Sequence, residues 1–470
     1  MPDKLQRHFN IIGISIYCAA LIVVSFVFRN YALNPVWMVW GIGTVLFFFA
    51  MTYLCHKRWR KDNSKTFIKK AFWVALGIRV VYVVGILYYY YVQTGLTMEF
   101  QAADSKAYHE TATYLAQLAR EGYFKALFEQ LEYKTMGFSD QGYLLYLTSL
   151  YSVFGNNTII PRLLKALMSA YMCVAIYRLT ARNTDEKTAK LAAIIAVFLP
   201  QFIHYNGTYL KETEMIFLAT LALERFDFLL RNRKHFVINL LLTMLLTILS
   251  FGFRTVVGMI LIGSIIVDIL FTNQQLVSRK TKWMILGGIG ILFIILVLSP
   301  IGKEMLIMLK VNVKESNYLV VKYNQLGLKY ADYANYKTMA PGVFVLPLTN
   351  LVEVANDNQK LMNGTYFIKN YLAFFAMWCI LVAIREKKWK NFSLIGSYTL
   401  AYLLIIAFSF AVNSERYHLP AMPGIVIMSA FAMTHFRKRD FKFYYVYTAL
   451  LLLAIVAWNY LKISGRGLIF

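Results

Sequence analysis

Between residues 10 and 462 the chain returns repeatedly to apolar runs of roughly 18 residues or more, each long enough to carry a helix across about 30 Å of hydrocarbon. No other feature narrows the fold so far. Backbone N–H and C=O groups surrounded by lipid must find partners inside the chain, so such runs become helices gathered in a bundle. Composition agrees: 59% of the 470 residues are hydrophobic and 16% are charged, too few polar groups to clothe a water-soluble body of this size. The sequence therefore predicts an all-α polytopic transmembrane bundle of about 13 spans, with membrane lipid as its first partner. We place the spans near 10–28, 34–55, 69–92, 158–180, 188–204, 211–230, 236–252, 255–271, 283–299, 366–384, 391–412, 420–436 and 443–462, all in one transmembrane domain covering 1–470.

The formal net charge of +25 invites a nucleic-acid reading, but the placement of the charge argues against it. Basic residues crowd into short loops between apolar runs: "HKRWRKDNSKTFIKK" (56–70), "RNRK" (231–234), "SRKTK" (278–282), "REKKWK" (385–390) and "HFRKRDFK" (435–442). Loops retained in the cytoplasm read this way. A surface for anionic lipid or polymer is the alternative. Cys18, Cys55, Cys173 and Cys379 lie in or beside apolar runs without metal-like spacing, as small core residues do. The basic opening "MPDKLQRHFN" lacks a small-residue cleavage pattern, so the first run is expected to stay as an anchor with a cytoplasmic N-terminus.

With 56–70 in the cytoplasm and sides alternating, every basic loop falls on the same side. The opposite side then receives 93–157, 205–210, a bend near 253, 300–365 and 413–419. That assignment requires "QGYLLYLTSLYSVFG" (141–155) to lie at the interface instead of crossing, which suits its short length and tyrosines. Residues 105–134 read similarly, with Tyr108, Leu115, Leu118, Tyr123, Phe124, Leu127 and Leu131 spaced for one apolar face. The region 93–157 is thus an outer loop built from interfacial helices, and 300–365 is a second outer loop, either interfacial helices or a lid.

The polar stretch "EFQAADSKAYHETA" at the start of the first outer loop holds the leading candidates. Asp104 suits a helix N-cap. It also suits a carboxylate at the mouth of a bundle that takes a proton from a substrate hydroxyl. Tyr108 lies one helical turn on and faces the same way, and His109 is a neighbour of that position. Glu212, preceded by Lys211 in "YLKET", is a second acid in the next outer loop, with Lys211 as a substrate contact beside it; a plain Lys–Glu contact at the membrane edge is the alternative. Arg162, Lys165, Arg254 and Arg416, the last followed by His418 in "SERYHLP", are cations placed at the outer edge. Each serves either as an interfacial anchor or as a ligand for phosphate beside lipid. His204 reads as an edge histidine bonded within its own loop.

"ADSKAYHETA", then "GYLLYLTSLYSVFGNNTIIPRLLKALMSAYMCVAIYRLTAR", "LPQFIHYNGTYLKE" and "NSERYHLPAMPGIVIMSA", taken in this order, resemble the GT-C superfamily of membrane glycosyltransferases. The likeness is to bacterial members similar to protein O-mannosyltransferases and aminoarabinose transferases, of the family 39 type, and covers most of 70–435. It implies a sugar donor on a polyprenyl phosphate, a glycan, lipid or protein acceptor, and an active site facing the periplasm from a bacterial inner membrane. It also implies a catalytic or metal-associated carboxylate in the first outer loop, a role that carries over to Asp104, with Glu212 as the second acid. The adjacent pair of acids common there is replaced by Ala103 and Asp104, with Glu99 upstream. One carboxylate is a poor seat for Mg2+ or Mn2+, so a divalent cation stays an option and no metal ligand is assigned. Sugar transfer would then proceed with inversion, Asp104 as base and Arg254 or Arg416 on the leaving phosphate. The sequence also admits a transporter or flippase for lipid-linked glycan, and a polymerase or ligase of surface polysaccharide. The absence of two matching halves disfavours the first, and an acid near residue 104 disfavours the second.

Overall fold

Turn-forming residues punctuate the apolar runs, and helices begin and end at them. Asn34 accepts from the backbone N–H of Val36 at 3.0 Å and Asn63 from that of Thr66 at 2.8 Å, each capping a long helix. Gly95 ends another with φ +70°, a conformation that glycine adopts without strain. A computed structural model describes residues 2–100, 102–135, 138–231, 235–271, 279–299, 302, 342–407 and 414–464. Most of the second predicted outer loop, 303–341, lies outside the described residues.

The helices run α1 (Pro2–Val27), α2 (Pro35–Trp59), α3 (Ser64–Thr94), α4 (Ala103–Arg120), α5 (Phe124–Lys134), α6 (Gln141–Phe154), α7 (Ile159–Asn183), α8 (Glu186–Phe198) and α9 (Pro200–Gly207). They continue with α10 (Glu212–Arg231), α11 (Phe236–Phe253), α12 (Thr255–Phe271), α13 (Arg279–Leu298), α14 (Asp357–Leu361), α15 (Asn363–Arg385), α16 (Ser393–Ala407), α17 (Glu415–His418), α18 (Met422–Thr434) and α19 (Phe441–Ser464). Among the described residues nine helices are long and apolar enough to cross a membrane, α8 and α9 counting together as one. The other predicted spans are α10, α12, α13 and α18. Of these, α10 carries buried acids along its length, while α12 and α18 have 17 and 13 residues.

The predicted span 188–204 is not one continuous helix. Pro200 has no N–H to give to the carbonyl of Ala196, and the extended Leu199 releases the carbonyl of Val197 as well. Arg79, fully buried in α3, donates to both carbonyls at 3.2 Å and to Ser169 Oγ at 2.7 Å. A guanidinium inside the bundle thus satisfies the backbone where the helix breaks, as an apolar interior demands. The break re-aims α9 and carries His204 and Tyr205 toward one end of the molecule.

The basic loops meet at the other end. Lys190 donates to the carbonyls of Arg60 and Asp62, Ser64 donates to Glu186 at 3.1 Å, and Asn391 donates to the carbonyl of Asn183 at 2.9 Å. Arg437 pairs with Glu386 at 2.6 Å. Loops separated in sequence by hundreds of residues therefore share one end of the bundle.

The interfacial region consists of three short helices. In α4 and α5 the residues Leu115, Leu127 and Leu131 are buried, as their spacing predicts, but Tyr123 and Phe124 are about 60% exposed. The reason is a turn at Gly122 (φ +81°), which splits the predicted single stripe into two faces. Helix α6 crosses the end of α11 so closely that a Cβ on Gly142 would lie 2.8 Å from the backbone of Gly252. This contact sets the position of Phe253 and Arg254.

Candidate active site

The site is built on irregular backbone at residues 208–211, between α9 and α10. Carbonyls exposed there need donors, and two buried cations supply them. Arg162 donates through Nε to Gly207 at 2.9 Å, through Nη1 to Thr158 at 2.9 Å and through Nη2 to Thr97 at 2.7 Å. Its guanidinium also lies 4.9 Å from the ring centre of Tyr209. Lys165 donates to the carbonyls of Thr208 and Leu210 and pairs with Glu214 at 3.6 Å. Lys211 donates to the carbonyl of Phe253 at 2.6 Å and pairs with Asp140. Arg162, Lys165 and Lys211 are all buried, with their donors committed to protein atoms. This differs from the phosphate-facing role expected of Arg162 and Lys165 and the substrate contact expected of Lys211: here they hold the loop in place.

Asp104 and Arg416, 312 residues apart, meet at the surface of this loop, with Arg416 Nη1 donating to Asp104 Oδ2 at 2.6 Å. On its other edge Arg416 Nε lies 2.7 Å from Glu212 Oε1. One guanidinium therefore bridges the two acids singled out in the sequence, an arrangement suited to its planar fork. Burial works against the Arg416 charge, but Glu212 and Asp104 outweigh it and raise its pKa above the ordinary value. Glu212 is fully buried in the first turn of α10, where free N–H groups favour an acid. Asp104 does not cap α4: the cap position is Ala102, and the Asp104 side chain stays about half exposed.

Arg254 and Arg416 flank the ring of Tyr417, at 4.7 and 5.4 Å from its centre, and Arg254 also bonds Tyr402. Tyr108 packs edge-on against Tyr143 at 5.0 Å, and burial followed by the Glu212 charge pushes its hydroxyl well above the phenol range. It therefore remains a donor beside the acids. His109 turns to the neighbouring face, where Nδ1 shares a 2.6 Å hydrogen bond with the Tyr151 hydroxyl. Burial lowers its pKa below the usual imidazole value, with Glu110 opposing. His418 is buried in α17, away from the cavity described next.

A cavity of about 310 Å3 opens beside the Asp104–Arg416 pair. Its walls are Glu99 and Phe100, Ala102 to Ser105 at the start of α4, His204, Tyr205, Thr208 and Leu210, and Asn356, Asn358 and Gln359 around α14. Met362 and Tyr366 of α15 and Ser414 to Arg416 complete it. His204 bonds Tyr82 of α3 at 2.8 Å, not its own loop. Glu99 accepts from the backbone N–H of Tyr209 at 3.0 Å and from Ser105. Glu415 is 2% exposed, and its Oε2 accepts from the Tyr205 hydroxyl at 3.3 Å. Burial pushes its carboxyl up to about 7, with the charge of Lys369 opposing. The sequence reading missed Glu415 and the Asn356–Gln359 amides. Glu415 stood beside Arg416 in a quoted motif, but adjacency in sequence did not show that it lines a cavity.

Asp104 and Glu212 close on a guanidinium, so the cation between them is already a side chain. Among the described residues no group of three or more His, Cys, Asp or Glu is arranged for a metal. Two carboxylates already paired with one guanidinium do not fit a resident divalent cation.

Residues 143–300, from α6 through α13, match the family described as dolichyl-phosphate-mannose-protein mannosyltransferase. No curated protein matches the chain. Among solved structures it is similar to the oligosaccharyltransferase of Archaeoglobus fulgidus, a crystal structure in complex with Zn and sulfate. That likeness has a TM-score of 0.39 and 16% identity, and covers 71% of this chain and 45% of the other. This chain spans under half the length of that protein.

Proposed function

We infer that this chain works as a membrane glycosyltransferase of the GT-C superfamily, and on that premise that it moves one sugar from a polyprenyl-phosphate carrier to a hydroxyl or amine acceptor at the non-cytoplasmic face. The observation that carries this reading is the meeting of Asp104, Arg416 and Glu212 beside a cavity, at the end of the bundle opposite the basic loops. The family matched over 143–300 is described by a lipid-phosphate sugar donor, which supports the same donor class here.

Each chemical step has a residue in reach. Asp104 is partly exposed on the cavity wall and takes the proton as the acceptor oxygen or nitrogen attacks the anomeric carbon. The bond from that carbon to the phosphate oxygen breaks on the opposite face, so the configuration inverts and the phosphate keeps the electron pair. Arg416 and Arg254, gathered around Tyr417, meet the charge that develops on the phosphate. Glu212 holds Arg416 from its buried side and keeps the guanidinium aimed while Asp104 turns to the acceptor. Arg162 and Lys165 hold the loop on which this machinery rests.

Asp104→Asn tests the reading. In proteoliposomes supplied with a polyprenyl-phosphate-linked sugar, we expect transfer to fall by about 10²- to 10⁴-fold, the usual contribution of a positioned base. Transfer at the unsubstituted rate would end the assignment and favour a transporter or ligase.

A further inference from the structure

The last carbonyls of a helix have no donor within it, and each needs one from elsewhere. At the end of α11 that donor is Lys211, whose ammonium bonds the Phe253 carbonyl at 2.6 Å. The Phe253 carbonyl and the Arg254 N–H belong to one planar peptide unit, and the N–H is itself held by the Ser250 carbonyl at 2.9 Å. A single residue, Arg254, joins α11 to α12, so this peptide decides where the Arg254 guanidinium sets out toward Tyr402 and Tyr417. Lys211 is only 3% exposed. Burial, then the Arg254 charge, works against its proton; Arg416 adds to them, while Glu212 and Asp104 oppose. The carboxylate in contact with it is Asp140, from the turn before α6.

Asp140 makes that contact from an unusual backbone. It occupies the N-cap position of α6, where an aspartate commonly caps, yet its side chain makes no capping bond. Its φ is +81°, in the left-handed region that glycine enters freely and a side chain enters at a cost. The side chain goes to Lys211 instead of to its own helix. We propose that Asp140 is a positioning residue of the transfer site: its ion pair keeps Lys211 charged on the Phe253 carbonyl, and so holds Arg254 where charge develops on the leaving phosphate. This role rests on the transferase reading, in which Arg254 meets that phosphate.

The test uses the full-length protein in proteoliposomes with a polyprenyl-phosphate-linked sugar. Asp140→Asn keeps the shape of the side chain and tolerates the positive φ. We expect kcat to fall by about tenfold to a hundredfold, the cost of a misplaced charge, while KM for the donor moves far less. An acid in contact favours the charged lysine, so without it Lys211 loses its proton at lower pH, and the alkaline limb of the kcat profile should begin lower by about one pH unit or more. Arg254→Gln lowers kcat by itself; adding Asp140→Asn to it should change kcat by less than about twofold, because the pair then has nothing left to aim. Asp140→Gly, which suits φ +81°, should repeat the Asn result and keeps the test open if the first variant fails to fold. An unmoved alkaline limb, or full and independent losses in the double variant, overturns the proposal. Melting temperatures in lipid nanodiscs give a readout without turnover. The gap between the unsubstituted protein and Asp140→Asn should be present at pH 7 and close as rising pH neutralises Lys211. A gap that ignores pH overturns the proposal whether or not the chain is a transferase. If the gap closes but Asp104→Asn leaves transfer intact, the transferase reading falls, and the positioning role falls with it, leaving a structural pair.

Discussion

Arg416 is the residue on which the site's charge balance turns. It reaches an exposed carboxylate with one nitrogen and a buried one with another. A lysine would offer a point charge that cannot span both acids, so Arg416→Lys should lower kcat/KM by about tenfold to a hundredfold despite conserving charge. A steady-state assay showing near-normal turnover would refute this role. His109 makes a second prediction, about stability. Its pKa is lowered in the folded protein, so protonation favours the unfolded chain. The associated stability is fully present above the ordinary imidazole pKa and is lost as pH falls through the lowered value. Thermal melts from pH 7.5 down to 5 should show a falling melting temperature, with a smaller slope in His109→Gln. Equal slopes would show that the 2.6 Å bond to Tyr151 carries no such linkage.

At the scale of elements, the break between α8 and α9 shows how a helix interruption is made tolerable in an apolar interior. Pro200 and Leu199 release two carbonyls, and Arg79 binds both. Removing that donor leaves acceptors unsatisfied at about 1–3 kcal/mol each, offset in part by the relief of a buried charge. Arg79→Leu should therefore lower the melting temperature and the yield of folded protein in detergent. It should also reduce activity through a displaced α9, although Arg79 does not line the cavity. An unchanged melt would mean that the carbonyls find other partners. The interfacial helices show the reverse economy of means: α4 and α6 bury only one face each, and the close Gly142–Gly252 approach lets α6 lie against the bend before Arg254.

For the whole molecule, the clustering of basic loops at one end and of Asp104, Glu212 and Arg416 at the other predicts a labelling pattern. A cysteine at Tyr133, 81% exposed in α5, should react with a membrane-impermeant maleimide on intact cells. One at Arg439, among the basic loops, should react only after permeabilisation. Inverted labelling would place the site in the cytoplasm and end the lipid-linked donor reading. Much of this arrangement was legible in the sequence. Apolar run length and loop charge are local signals, and they located nearly every helix and grouped the basic loops. Asp104, Glu212 and Arg416 were identifiable because charged residues stand out at the edge of apolar runs. The roles of Arg162 and Lys165 were not legible, because a cation bonded to carbonyls and one awaiting phosphate look alike until the backbone path is known. The cavity was hidden for a related reason, being lined by segments far apart in the chain. The same long separation has a temporal side. Asp104 leaves the ribosome 312 residues ahead of the arginine that completes its pair, so the nascent protein has no assembled centre until Arg416 has followed it. A polypeptide aborted anywhere before that point should be harmless to the lipid-bound sugars around it, and activity should begin as an all-or-none event on late insertion.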